Sequence, residues 1–129
     1  MASIMIMSGE RKGDYYPLGR RTNVIGRAES LLIQVLDDQI SRRHLQIRYD
    51  SDSQSYSALD MSSKNGVFIN GSKMKAEVAL SDGDSLVLGS TELLFTDQDF
   101  DDAERALHHF KKVGERARPT FLGDADDKR

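Results

Sequence analysis

The sequence predicts an all-β fold, a β-sandwich, followed by one C-terminal α-helix. Three observations lead there. Up to about residue 96, Gly or Asx turn signals recur every few residues to a dozen, from Ser8-Gly9 through Gly13, Gly19, Gly26, Asp37-Asp38, Asp50 to Ser53, Asn65-Gly66, Asn70-Gly71 and Asp82-Gly83 to Gly89. No helix of ordinary length fits between them. The stretches they separate alternate or are β-branched, as half-buried strands do. After residue 96 the apolar period changes from two to three and four.

Taken in order, Ile4 and Ile6 alternate with Met5 and Met7 to make a first strand. Tyr15 and Tyr16 lead into Pro17, which cannot donate to a ladder and so belongs on an edge strand or at a strand end. Leu45, Ile47 and Tyr49 alternate with Gln46 and Arg48 in a strand from about His44 to Tyr49. A very short strand separates the Asn65-Gly66 and Asn70-Gly71 turns, and the second turn is ordinary hairpin chemistry. Leu86 and Leu88 flank Val87, and Leu93 and Phe95 flank Leu94, giving the last two strands. Many short strands with regular turns form a sandwich.

Residues 1–96 are therefore one β domain, and residues 97–129 a second unit. Within the latter, Phe100, Ala103, Leu107, Phe110 and Val113 define an amphipathic helix over about 99–118. Asp99, Asp101, Asp102 and Glu104 crowd its opening turn, and Lys111, Lys112, Arg116 and Arg118 lie toward its end, as the helix dipole favours. Pro119 ends it, and a polar tail with Asp124, Asp126 and Asp127 follows.

Composition narrows the function. The chain has 129 residues, which suits one ordinary domain with a short extension. Hydrophobic residues at 38% together with ten glycines support a globular core. Net charge is −3, with eleven basic against twelve acidic residues up to position 96, so no bulk positive field points to nucleic acid or an anionic membrane. The absence of Cys removes disulfides, thiolate zinc sites and cysteine nucleophiles, and fits a reducing compartment. His108 and His109 are adjacent, not spaced as helical metal ligands, and no metal or cofactor is expected. The first residues lack the basic flank and apolar length of a signal peptide or membrane span, so the expected location is cytoplasmic.

The informative residues lie in the connections, where a rigid sandwich usually carries function. Gly26-Arg27 presents an arginine from a flexible turn. Ser41-Arg42-Arg43-His44 places a hydroxyl and two guanidinium groups before a strand. Asp60 through Gly71 holds Ser63, Lys64 and Asn65 in one polar turn. Each segment alone reads as exposed polar surface. If the loops converge at one end of the sandwich, they assemble a small anion site, with arginine forks matched to phosphate oxygens and a serine hydroxyl adding one bond.

In this order and spacing the segments resemble the signature of the forkhead-associated (FHA) domain. The resemblance continues through Leu80-Ser81-Asp82-Gly83-Asp84 and Leu88-Gly89, and covers essentially residues 1 to 96. It implies an FHA-type sandwich of two twisted, mainly antiparallel sheets with its binding loops at one end. It also implies recognition of phosphothreonine-containing partners, a Ser/Thr kinase or its substrate, without catalysis. Carried over by position, Arg27 and Ser41 are the phosphate ligands, Arg42 adds a contact, and Asn65 bonds the backbone of the bound peptide. Gly26, His44 and Gly66 match supporting positions. The family commonly has Thr or Ser immediately before the Asn, where this chain has Lys64. A lysine there either reaches the phosphate or faces solvent, and selectivity for phosphothreonine over phosphoserine does not carry over automatically.

Other readings differ in class. A phosphorylation-independent assembly adaptor would use a sheet face or the apolar face of Phe100, Leu107 and Phe110, which suits docking on its own sandwich or on a partner. Nucleic-acid binding would rest on Arg20, Arg21, Arg27, Arg42, Arg43 and Lys64, but the loops lack interleaved aromatics. No phosphate-cradling Walker loop, nucleophile elbow or paired-carboxylate site is present, so the chain does not read as an enzyme. Thr120, on the polar tail, is a candidate for phosphorylation and capture by the domain itself or a neighbour.

Overall fold

The computed structural model describes residues 2–98 and His108. The helix expected over about 99–118, the tail and Thr120 lie outside these, His108 apart.

Among the described residues, the strands are β1 (Ser3–Ile6), β2 (Tyr15–Pro17), β3 (Asn23–Gly26), β4 (Ile33–Gln34), β5 (Leu45–Asp50), β6 (Ser55–Asp60), β7 (Val67–Ile69), β8 (Ser72–Lys73), β9 (Val78–Ala79), β10 (Ser85–Leu88) and β11 (Thr91–Thr96). They form a six-stranded sheet in the order β2-β1-β11-β10-β7-β8 and a five-stranded sheet in the order β4-β3-β5-β6-β9. Every pairing is antiparallel except β3 with β4, where Ile25 lies beside Ile33.

The alternation read from the sequence is what sorts side chains between the sheets. In β5, Leu45 and Ile47 are fully buried while Arg48 is exposed. In β1 and β11 the cross-strand pairs Ile4–Phe95 and Ile6–Leu93 face the core. Leu86 and Leu88 from β10 and Val67 from β7 close it from the same sheet. Tyr56 packs its ring between Tyr49 and Phe95 at centroid distances of 5.0 and 5.9 Å, both tilted, a favourable arrangement for aromatic quadrupoles.

Pro17 ends β2, an edge strand, as its missing N–H requires. The ladder of β5 begins at Leu45, one residue after the expected start, though His44 N–H still donates to Ile25 O at 3.0 Å. The simple in-out pattern fails at one place. Met5 and Leu94 pair on the face of the six-stranded sheet opposite the core, yet both are buried.

Four connections meet at one end of the sandwich: β3–β4, β4–β5, β6–β7 and β10–β11. Hydrogen bonds join the second of these to each of the others: Arg27 N–H to Ser41 O, Lys64 N–H to Ser41 Oγ, and Ser90 N–H to Asp37 Oδ2.

Candidate functional site

The site begins with a steric fact at the end of β3. A Cβ added at Gly26 would lie 2.2 Å from Arg42 O, so only glycine lets these two backbones approach. Their contact is then locked by Arg27 N–H to Ser41 O and Ala28 N–H to Arg42 O, both 3.1 Å. Arg27 and Ser41, fourteen positions apart in sequence, therefore project from adjoining backbone. The Arg27 side chain is exposed, but its Nε donates to Ile40 O at 3.0 Å. This bond fixes the stem and leaves the two terminal guanidinium nitrogens, with four N–H groups, displayed at the loop surface.

His44 joins the second loop to the third. It is completely buried; its Nδ1 accepts from Ser41 N–H at 3.0 Å and its Nε2 bonds Gly66 O at 2.7 Å. A carbonyl can only accept, so the proton sits on Nε2 and the lone pair on Nδ1. The opposite side of Ser41 meets the same loop, because its Oγ accepts from Lys64 N–H at 3.0 Å and keeps its own hydroxyl hydrogen to give. Within the loop, Asp60 Oδ1 accepts from Ser63 N–H at 2.9 Å and Ser63 Oγ accepts from Gly66 N–H at 2.9 Å. Gly66 has φ +79°, a conformation natural to glycine, and it aims its carbonyl at the imidazole.

Asn65 projects from this turn, exposed, with Nδ2 donating to Gln39 O at 2.8 Å. Its Oδ1 and second amide hydrogen remain for a ligand. The structure thus links Arg27 and Lys64 to Ser41 through direct hydrogen bonds and ties Asn65 to the same loop at Gln39 O, with Gly26, His44 and Gly66 supporting them. Arg42 lies beside them and is exposed; its carbonyl is used by Ala28, while its guanidinium has no hydrogen-bond or ion-pair partner among the described residues. The Lys64 ammonium is likewise unpaired among the described residues. With Arg27, this end of an otherwise slightly acidic chain brings together three exposed cationic residues, Arg27, Arg42 and Lys64.

Sequence reasoning missed the organiser of the second loop, Asp37. Its Oδ1 caps Gln39 N–H at 2.9 Å, while Oδ2 takes Ser90 N–H, Ser90 Oγ–H and Thr91 Oγ1–H, all at 2.9 Å. Partial burial pushes its carboxyl up, but the bonds from the Gln39 and Ser90 amides and the Thr91 and Ser90 hydroxyls win and hold it below the usual carboxylate range. The Asp37-Asp38 pair was visible only as a turn signal. The turn formed on Gln39 is the local half of its role, and the bonds to the β10–β11 turn are long-range. Among the described residues, no group of three or more His, Asp or Glu could hold a metal ion, and no helix is long and apolar enough to cross a membrane.

Residues 23–89 match the family model of the FHA domain. The chain belongs to the FHA domain family. It is 34% identical over 92 residues to the FHA domain-containing protein FhaA of Mycobacterium tuberculosis, an alignment covering 71% of this chain and 17% of FhaA. It is 31% identical over 94 residues to the oxoglutarate dehydrogenase inhibitor of Corynebacterium jeikeium, covering 73% of this chain and 63% of that protein. This FHA chain therefore matches less than two thirds of the length of either relative. A solved FHA structure studied for phosphothreonine-dependent interactions superposes with a TM-score of 0.67 at 30% identity, covering 77% of this chain and 98% of that one. The two mainly antiparallel sheets expected from the sequence are those of the family.

Proposed function

We propose that this FHA domain is a non-catalytic reader of phosphothreonine in protein partners, acting downstream of a Ser/Thr kinase. The observation that carries the reading is the state of Arg27: its Nε is tied to Ile40 O, its backbone N–H is bonded to Ser41 O, and the residue is exposed. A planar fork with one edge immobilised loses little entropy when two phosphate oxygens bind the other. Ser41 gives the third bond, and Arg42 and Lys64 add positive charge around a group carrying nearly two negative ones. Asn65, steadied by Gln39 O, uses its remaining amide groups on the backbone of the bound peptide. His44 is structural in this reading, since both ring nitrogens are already bonded to the chain and neither reaches solvent. The phosphothreonine dependence of the similar FHA structure supports the same assignment.

The test is calorimetry or fluorescence anisotropy against a degenerate phosphothreonine peptide library, with unphosphorylated and phosphoserine versions and an Arg27→Ala protein alongside. Loss of charge-assisted bonds worth about 1.5–3 kcal/mol weakens binding roughly ten-fold to more than a hundred-fold. Binding that requires both the phosphate and Arg27 is the expected result. A folded Arg27→Ala protein that binds normally overturns it. The phosphoserine column reads out Lys64, which replaces the hydroxyl residue common in the family.

A further inference from the structure

The six-stranded sheet is covered on both sides along β1 and β11. Its core face is built by Ile4, Ile6, Leu93 and Phe95, and the register places Ser3, Met5, Leu94 and Thr96 on the opposite face. In an antiparallel sandwich that second face is ordinarily solvated and polar. Here Met5 and Ser3 are 0% exposed and Leu94 2% exposed. Among the described residues, the partly buried hydrophobic side chains packed against Met5 and Leu94 are Met7 and Tyr15. Both stand on the same face as lateral neighbours, Tyr15 directly across from Met5 in the β1–β2 pairing, and both are themselves half-buried. Neighbours standing side by side on a sheet cannot take a methionine to zero exposure; a layer above it is required.

The place where the chain leaves the sheet identifies the layer. Ser3 Oγ donates to Gln98 O at 2.6 Å, so the segment that follows departs from the very edge of the covered face. Thirty-one residues follow Gln98, and the first of them carry the apolar stripe Phe100, Ala103, Leu107 and Phe110. At 1.5 Å per helical residue the stripe extends about 15 Å, which matches the roughly 14 Å across four neighbouring strands of the sheet, β2, β1, β11 and β10. We propose that residues 99–118 dock in cis on the outer face of the six-stranded sheet, over Met5 and Leu94. The segment is then a third layer of the fold, and the boundary at residue 96 separates two halves of one hydrophobic unit. It follows that the Met5–Leu94 part of this face is not available to partners, while Phe68 of β7, 38% exposed on the same face, stays open.

Methionine oxidation in the full chain tests this directly, because an exposed thioether reacts with hydrogen peroxide and a covered one does not. Met74, buried in the main core, reports on global unfolding in the same digest, and half-buried Met61 serves as the reactive reference. The proposal expects Met5 to be oxidised at least about ten times more slowly than Met61 in the wild-type chain. In a Phe100→Asp/Phe110→Asp double variant, Met5 should approach the Met61 rate while Met74 stays protected. Sedimentation of the wild-type chain should give a monomer whose Met5 protection is independent of protein concentration. Rapid Met5 oxidation in the wild type would mean an open face and overturns the proposal. Protection that grows with concentration alongside dimer formation assigns the cover to a second copy and overturns it too. So does a protected Met5 in the double variant, because the stripe is then not what shields it.

Discussion

Replacing His44 by alanine separates the scaffold of the site from its ligands. The imidazole touches no solvent, so the change removes the bonds at 3.0 Å from Ser41 N–H and at 2.7 Å to Gly66 O together with the ring's packing. Leaving a buried donor or acceptor unpaired costs about 1–3 kcal/mol each, and water entering the polar hole left by the ring recovers part of this. A net loss of about 3 kcal/mol is expected, or roughly 10–20 °C in Tm for a domain of this size. Phosphopeptide affinity should fall by a further factor of about ten or more in the protein that remains folded, because Ser41 and the Lys64–Asn65 turn lose their common anchor. His44→Asn resolves the two halves: its shorter amide oxygen keeps the bond from Ser41 but does not reach Gly66. It should regain part of the Tm while binding stays weak. Thermal melts give the first quantity, and calorimetry well below the variant Tm gives the second. If the folded fraction of His44→Ala binds with wild-type affinity, the coupling of the two loops through the imidazole is wrong.

The other perturbations act on separate links of the same chain of contacts. Gly26→Ala puts a methyl group 2.2 Å from Arg42 O and forces the backbones apart by about 1 Å, breaking the bonds from Arg27 and Ala28; melts should show a loss of about 2–4 kcal/mol, with binding lost even in the folded protein. Arg27→Lys keeps the charge but has neither the Nε bond to Ile40 O nor a planar fork; affinity should drop about ten-fold or more by anisotropy, with Tm nearly unchanged, and an equal affinity would show that charge alone suffices. The carboxyl of Asp37 is held below its ordinary range in the folded state, so its contribution is fully present above the unfolded value near ~4 and is lost as pH falls through the lower folded value. Melts from about pH 6 to pH 2 should therefore show wild type and Asp37→Asn converging at the acid end. A gap that stays constant over that range contradicts the argument.

The division between what the sequence disclosed and what it withheld follows from where chemistry is written. Turn residues announce the strands they separate, so the sandwich was legible from Gly9 to Gly89, and alternation assigned Leu45, Ile47, Leu86 and Leu88 to the core correctly. Side chains that carry charge or donors are visible by identity, which is why Arg27, Ser41, Lys64 and Asn65 could be picked out as a candidate anion site, while their separate roles came only with the FHA resemblance. Alternation placed Met5 and Leu94 opposite the core residues but carries no local signature of whether that second face is covered, and their burial is therefore news from the structure. The ladder of carbonyls that positions the ligands, at Gly66, Gln39 and Ile40, is equally silent, because every residue owns a carbonyl.

That silence makes a prediction of its own. Gln39 is exposed and contributes to the site only through its backbone: its N–H goes to Asp37 and its carbonyl receives Asn65. Alanine keeps both groups, and the Cβ that abuts Gly89 remains. Gln39→Ala should accordingly bind phosphopeptide within about two-fold of wild type, since no bond to the site changes. Asn65→Ala, which deletes the amide on the other side of the same bond, should weaken binding about ten-fold. Paired titrations of the two variants against one peptide decide it. If Gln39→Ala is as damaging as Asn65→Ala, the glutamine amide is itself a peptide ligand, and the carbonyl bond is incidental to it.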